Sequence, residues 1–271
     1  MKVKSVGITD VGRERTNNED SLLIDDTMGL YIVADGMGGH ENGEMASRQA
    51  IRAVYSFLQD RKMASRRHQL NTDVLVEHLA EAVQEAAATV HRLSHGERGM
   101  GTTLTALWLA QGKGIMAHIG DSRLYGQRDE AINQISKDHT FVALAVERGQ
   151  CTPEEAEKHP MSNVLMRCLG REPKVEVDTL VLDVEEKDTF LLCSDGLTSY
   201  LHQDELENML ISPDIEAIGK RLINIANGRG GHDNITVVLV HVEDLGDGEA
   251  QASPQNMRIP TLVNFERKPT R

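Results

Sequence analysis

Thr102-Thr103-Leu104-Thr105-Ala106-Leu107-Trp108-Leu109-Ala110 is followed at short intervals by Ile115-Met116-Ala117-His118-Ile119, Arg123-Leu124-Tyr125-Gly126 and Ile132-Asn133-Gln134-Ile135. Each run is apolar or alternating and is rich in residues that fit a pleated surface. The gaps between them are turns, too short to hold a crossover helix, so successive strands must double back on one another. This meander favours antiparallel sheets over a doubly wound parallel one.

The flanking sequence extends the pattern. Upstream, Leu22 to Ile24 and Leu30 to Ala34 read as the arms of a hairpin spanning Ser21 to Ala34, and Val3 to Thr9 reads as a further strand. From Glu41 the period changes. Ala46, Ala50, Val54 and Phe57 share one helical face, and a second helix capped by Asp73 turns Leu75, Leu79, Val83, Ala86, Val90 and Leu93 inward. Arg61-Lys62 and Arg66-Arg67-His68 between these helices read as a solvated linker. Downstream, residues 137–171 are short-range helical and irregular, with Thr152-Pro153-Glu154-Glu155 forming a capping box. Strands resume at Val175 to Leu182 and Thr189 to Cys193. One helix is expected after Asp195 and another near Ser212-Pro213-Asp214, before a last apolar strand from Ile235 to Val242. Gly246 to Arg271 reads as a disordered tail, and no internal repeat is visible.

At 271 residues, 39% hydrophobic and 26% charged, the chain has the make-up of a soluble globular protein with a sizeable core. A net charge of −13 argues against nucleic acid as a partner, because that contact needs concentrated Lys and Arg. It leaves room for an anionic substrate if a bound divalent cation reverses the local field. Three cysteines without paired spacing fit a reducing compartment, and no stretch has the length of a signal peptide or membrane span, so a cytoplasmic protein is expected.

The chemistry gathers at strand ends. In Tyr31-Ile32-Val33-Ala34-Asp35-Gly36-Met37-Gly38-Gly39-His40 an apolar strand delivers an acid to its end and then turns through glycines. Asp121 in Gly120-Asp121-Ser122, Asp195 in Ser194-Asp195-Gly196 and Asp233 in His232-Asp233-Asn234 occupy equivalent places. If their strands lie in neighbouring sheets, the carboxylates meet at one rim. There they repel unless a cation neutralises them, and all-oxygen ligands select hard ions such as Mg²⁺ or Mn²⁺. The alternative is four unrelated turn aspartates, and spacing alone leaves both readings open. Cys193, beside Asp195 on an apolar strand, reads as a buried thiol rather than a nucleophile.

Taken in order, Asp10-x-Gly12-x-x-Arg15-x-Asn17-x-Glu19-Asp20, Ala34-Asp35-Gly36-Met37-Gly38-Gly39, Gly101-Thr102-Thr103, Gly120-Asp121-Ser122-Arg123, Ser194-Asp195-Gly196 and Gly231-His232-Asp233-Asn234 resemble the bacterial metal-dependent serine/threonine protein phosphatases of type 2C. The resemblance runs from about Val3 to Glu243. It implies an α+β fold, a sandwich of two antiparallel sheets flanked by helices on both outer faces, with a catalytic domain over residues 1–245 and a flap at about 137–171. It implies two Mn²⁺ or Mg²⁺ ions and a third, weaker one. Asp35 would bridge the pair and the Gly36 carbonyl would bind one of them. Asp195 and Asp233 would hold the other, Glu19 and Asp20 would act mainly through water, and Asp121 with Asp195 would form the third site. Asn234 would steady the Asp233 loop, and Arg15 would grip the substrate phosphate while a water bridging the two ions attacks phosphorus.

The same resemblance implies phosphorylated proteins as substrates, a cognate Ser/Thr kinase, and a monomer acting away from membranes. A non-catalytic phosphoprotein-binding relative and a phosphatase of small metabolites are the competing readings. One departure stands out: Met37 occupies the place of a histidine that serves as candidate general acid in the eukaryotic pattern, and His40 is displaced from it. Protonation of the leaving group would then fall to metal-bound water at the Asp121 site.

Overall fold

A computed structural model describes residues 1–39, 41–64, 71–94, 100–210, 212 and 214–246. His40, the Arg66-Arg67-His68 part of the basic linker, Pro213 and the tail from 247 onward fall outside the described residues.

Two antiparallel sheets form the centre. In the first, the strand order is β1 (Lys2–Asp10), β11 (Ile235–Asp244), β10 (Thr189–Cys193), β7 (Arg123–Arg128) and β8 (Ala131–Gln134). The second runs β2 (Asp20–Asp25), β3 (Leu30–Met37), β5 (Leu104–Ala110), β6 (Lys113–Ile119) and β9 (Asp178–Asp183), with β4 (Gly101–Thr102) paired to the end of β3. Between the sheets pack Tyr31, Val33 and Leu107 from one side and Leu192, Val238 and Val240 from the other.

Outside the second sheet, α1 (Glu41–Ala64) and α2 (Thr72–Leu93) bury Ala46, Ala50, Val54, Leu79 and Val83 against Leu30, Ile32 and Ala34. Outside the first, α5 (Asp195–Thr198), α6 (Gln203–Met209) and α7 (Ile215–Gly228) cover Val237 and Leu239 with Leu197, Leu206 and Leu222. Central strands are therefore buried on both faces, which is why β3 and β11 are nearly continuous apolar runs rather than alternating ones. The flap carries α3 (Phe141–Glu147) and α4 (Pro153–Glu157), the latter opened by the expected capping box at Thr152.

Several expectations shift. The meander is split: β5 pairs with β6 in one sheet and β7 with β8 in the other. The chain changes sheet at Gly120-Asp121-Ser122, and hydrophobic period carries no signal of such a crossing. Strand β5 begins at Leu104, because Thr103 turns its hydroxyl to Asp35 and Ser122 instead of continuing from β4. The cap of α2 is Asn71, whose side chain accepts the Asp73 N–H, while Asp73 lies in the first turn. Leu58, not Phe57, is the fully buried end of the α1 stripe, and β9 starts at Asp178 rather than Val175. Among the described residues no helix is long and apolar enough to cross a membrane.

Candidate metal centre

The β2–β3 register sets Asp20 directly opposite Asp35. Asp35 is fixed through its backbone: its N–H donates to Thr103 Oγ1 at 2.9 Å, and its carbonyl accepts the Thr103 N–H at 2.8 Å and the Thr102 hydroxyl at 2.9 Å. The Thr103 hydroxyl also meets Ser122 Oγ at 2.7 Å. One buried side chain thus ties Asp35 to the turn that carries Asp121. Gly36 follows because nothing larger fits: a Cβ there would overlap the carbonyl oxygens of Gly43 and Glu19.

The opposite sheet supplies the other acids. Ser194 at the end of β10 and Thr236 at the start of β11 donate their hydroxyls to Asp20 Oδ2 at 2.8 and 2.6 Å. These bonds join the two sheets beneath the rim. Asp195 opens α5, and a Cβ at the adjacent Gly196 would overlap the Asn234 carbonyl, so the helix start is pressed against the loop of Asp233. Asn234 locks that loop. Its Nδ2 donates to the carbonyls of Val11 and Asn17, each at 2.9 Å, and its Oδ1 accepts the Glu19 N–H at 2.8 Å. The expected steadying role of Asn234 has this physical form. Arg15 reaches the same place, with Nη2 2.8 Å from Asp233 Oδ2 and Nε donating to the His232 carbonyl.

Asp20, Asp35, Asp121, Asp195 and Asp233 therefore share one rim, and Arg15 and Arg123 offset their mutual repulsion only in part. Burial, then Asp20, Asp195, Asp121 and Asp233, push the Asp35 carboxyl well above the usual carboxylate range. Burial followed by Asp195 and Asp138 raises Asp121 to about 8. Burial raises Asp20 to about 7 against the pull of its two hydroxyl donors. Asp195 is raised by burial and by Asp233, and its Oδ1 is buried with no hydrogen-bond partner.

An orphaned carboxylate oxygen among repelling acids fits a hard divalent cation, which would satisfy the oxygen and cancel the repulsion. Among the described residues no three candidate ligands close into a ready-made cage.

Glu19 is held beside Gly36 by its backbone. Its backbone carbonyl accepts from Ser47 Oγ at 2.6 Å and from the Gly36 N–H, while its carboxylate packs against Gly43 in the first turn of α1. Met37 pairs with Gly101 in β4 and offers no proton to a leaving group. Cys193 is fully buried, and burial pushes its thiol up to about 12, so it stays protonated and inert. Sequence reading assigned no role to Thr103, Ser122, Ser194 or Thr236, although all but Thr236 lie inside the recognised motifs. A small hydroxyl beside a strand-end acid was the available signal. A second unread pairing is Arg123, whose guanidinium forks onto Asp138 at 2.7–3.1 Å and so ties β7 to the base of the flap.

Known proteins resemble this chain in sequence and fold. The profile described as Protein phosphatase 2C matches residues 11–239. The serine/threonine phosphatase Stp of Listeria monocytogenes is 38% identical over 239 residues, covering 86% of this chain and 93% of that protein. The crystal structure of the Mycobacterium tuberculosis serine/threonine phosphatase PstP/Ppp superposes with a TM-score of 0.80 at 36% identity, covering 89% of this chain and 99% of the other. A structure of the PstP catalytic domain in complex with two manganese ions gives 0.78 at the same identity and coverage. The matched span takes in the acids of both sheets and the sandwich that brings them together, and this chain belongs to the protein phosphatase 2C family.

Proposed function

We infer that the chain is a metal-dependent serine/threonine protein phosphatase acting on phosphoproteins, with a cognate Ser/Thr kinase supplying its substrates. The observation that carries this is the cluster of buried acids at one rim, with Asp20, Asp35, Asp121 and Asp195 all raised by burial and by neighbouring carboxylates, around the unpartnered Asp195 Oδ1. In this reading Asp35, the Gly36 carbonyl, Asp195 and Asp233 would together hold two ions, with Asp35 common to both. Asp121 and Asp195 serve a third, while Asp20 and Glu19 act through water. Mn²⁺ or Mg²⁺ bound there would supply an acidified water and polarise the phosphoryl oxygens.

The chain's own residues do the rest. The strand ends hold the acids rigidly, which suits in-line displacement, where positioning and charge carry most of the rate. Arg15 presents a planar fork at the rim. Its guanidinium, now paired with Asp233, would be the group that takes the phosphate. The catalytic unit in this reading spans residues 1–245 with the flap at 137–171. A non-catalytic relative would be expected to lose some of these acids, and all are present.

The test is release of phosphate from a phosphothreonine peptide by the purified protein with Mn²⁺. Turnover should appear with the metal and vanish with EDTA; turnover that survives EDTA overturns the reading. Arg15→Ala should raise KM for the phosphopeptide by about ten- to a hundredfold, the scale of a lost charged hydrogen bond, with a smaller change in kcat. Steady-state kinetics on the variant reads this directly.

A further inference from the structure

We propose that His139 is a positioning residue that locks the Gly120-Asp121 turn to the base of the flap. The proposal rests on the metal-dependent reading of Asp121 and adds a residue that the recognised acids do not include. The His139 N–H donates to the Gly120 carbonyl at 2.7 Å, and the Gly120 N–H returns to His139 Nδ1 at 3.1 Å. Gly120 sits at φ +110°, and a Cβ there would overlap the Thr103 side chain. The turn is thus gripped by Thr103 on one side and by His139 on the other, and it delivers Asp121 to the rim.

The tautomer follows from the geometry. Because Nδ1 accepts, the ring is neutral and carries its proton on Nε2, which donates to Asp178 Oδ2 at 3.1 Å. Asp178 Oδ1 accepts from Arg167 Nη1 at 2.7 Å, and the Met166 N–H donates to the His139 carbonyl at 2.8 Å. An unbroken run therefore leads from Arg167 through Asp178 and His139 to the Asp121 turn.

The groups facing the ring agree with a neutral imidazole. His118 on β6 packs against it at 4.7 Å between centroids with the rings tilted by 45°, its own nitrogens engaged by Thr105 Oγ1 and the Lys137 carbonyl. Arg167 disfavours a second positive charge, while Asp178 on β9 and the neighbouring Asp138 favour one. Burial outweighs them and holds the imidazole below its usual range. A protonated ring would have no acceptor for Gly120, and the turn would lose one of its two grips. The flap base and Asp121 then behave as a single unit, so any displacement of the Val164–Leu169 segment is felt at Asp121.

Two substitutions separate the halves of this device. Asparagine at 139 keeps an acceptor where Nδ1 stands and loses Asp178; glutamine reaches Asp178 and loses the acceptor. His139→Gln should raise the Mn²⁺ concentration for half-maximal turnover about tenfold, lower kcat and leave the phosphopeptide KM unchanged. Titration of Mn²⁺ followed by electron paramagnetic resonance should show the weakest bound ion lost over the same range. His139→Asn should stay within about threefold of wild type in both measurements. Equal impairment of the two variants, or wild-type behaviour of both, or a glutamine effect confined to peptide KM, overturns the proposal.

Melting in EDTA shows whether each variant folds. If His139→Gln does not, His139→Leu, which fills the site but offers no acceptor to the Gly120 N–H, should give the same Mn²⁺ shift, and its failure to do so overturns the proposal. Wild-type protein lacking metal-dependent turnover would defeat the underlying reading. Wild-type protein that has it but is indifferent to His139→Gln defeats this inference alone.

Discussion

Asp35→Asn is expected to lower kcat by about a thousandfold at saturating Mn²⁺, the scale seen when one preorganised charge is removed from an active site. The same variant should remain folded, and in EDTA at pH 8 it should be more stable than the parent. Both halves follow from one cause. Asp35 is the acid on which burial and four neighbouring carboxylates bear together, so it is the group the metal-free protein holds least comfortably. An amide of the same shape removes that repulsion and leaves the backbone bonds to Thr103 and Thr102 intact. It also removes the negative charge that would bridge two cations, and the loss is felt only where cations are needed. Steady-state turnover and urea unfolding in EDTA measure the two effects. Near-normal turnover refutes the ligand assignment, and a fall in turnover matched by loss of folding would mean that Asp35 serves the sandwich rather than the chemistry.

How much of this could be read from the residues depends on how local each cause is. The runs at Leu30–Met37 and Ile235–Asp244 declare themselves as strands because both their faces are covered, and the helix stripe from Ala46 through Val54 follows from its period. The acids were legible as strand-end residues and, once set in order, as a recognisable pattern. The partners that hold them were not. Asp20 takes hydroxyls from Ser194 and Thr236, about two hundred positions away in each case, and no periodicity links them. The switch of sheets at Gly120 was hidden for a related reason. A strand buried on both faces reads alike in either sheet, and only the tertiary contacts of Thr103 and His139 show where the chain crosses. The α2 cap was misplaced by two residues because Asn71 and Asp73 are both good caps, and the choice lies in the backbone angles.

The metal-free protein should lose stability as the pH rises from 6.5 to 8, and the Mn²⁺-loaded protein should gain over the same interval relative to it. Carboxyls that stand near 4 in the unfolded chain are raised to about 7 at Asp20 and about 8 at Asp121, with Asp35 and Asp195 also raised. Between those limits the folded state binds more protons than the unfolded one, so stability falls with pH. The slope is about 1.4 kcal/mol per pH unit for each proton fully linked to folding. The buried histidines act in the opposite sense lower down. Burial drives His118 to about 3 and also lowers His139 and His241, so the unfolded chain is the better proton acceptor up to its ordinary value near 6.5, and that opposing contribution fades over about one pH unit above it. Glu205, held near 2 by Arg229, acts only in acid. Above about 7.5 the histidines have dropped out and the rim acts alone, while below that its larger number of linked protons still sets the sign. Cation binding requires the carboxylates ionised and releases their protons, so its stabilisation grows as the protons become easier to remove. Asp121→Asn should flatten the EDTA curve by removing one of the linked protons. Thermal melts at half-unit pH steps, with EDTA and with Mn²⁺, decide the matter. A melting temperature in EDTA that holds level or climbs across the interval would show that these acids are not proton-loaded, and the electrostatic case for a cation at the rim would fall with it.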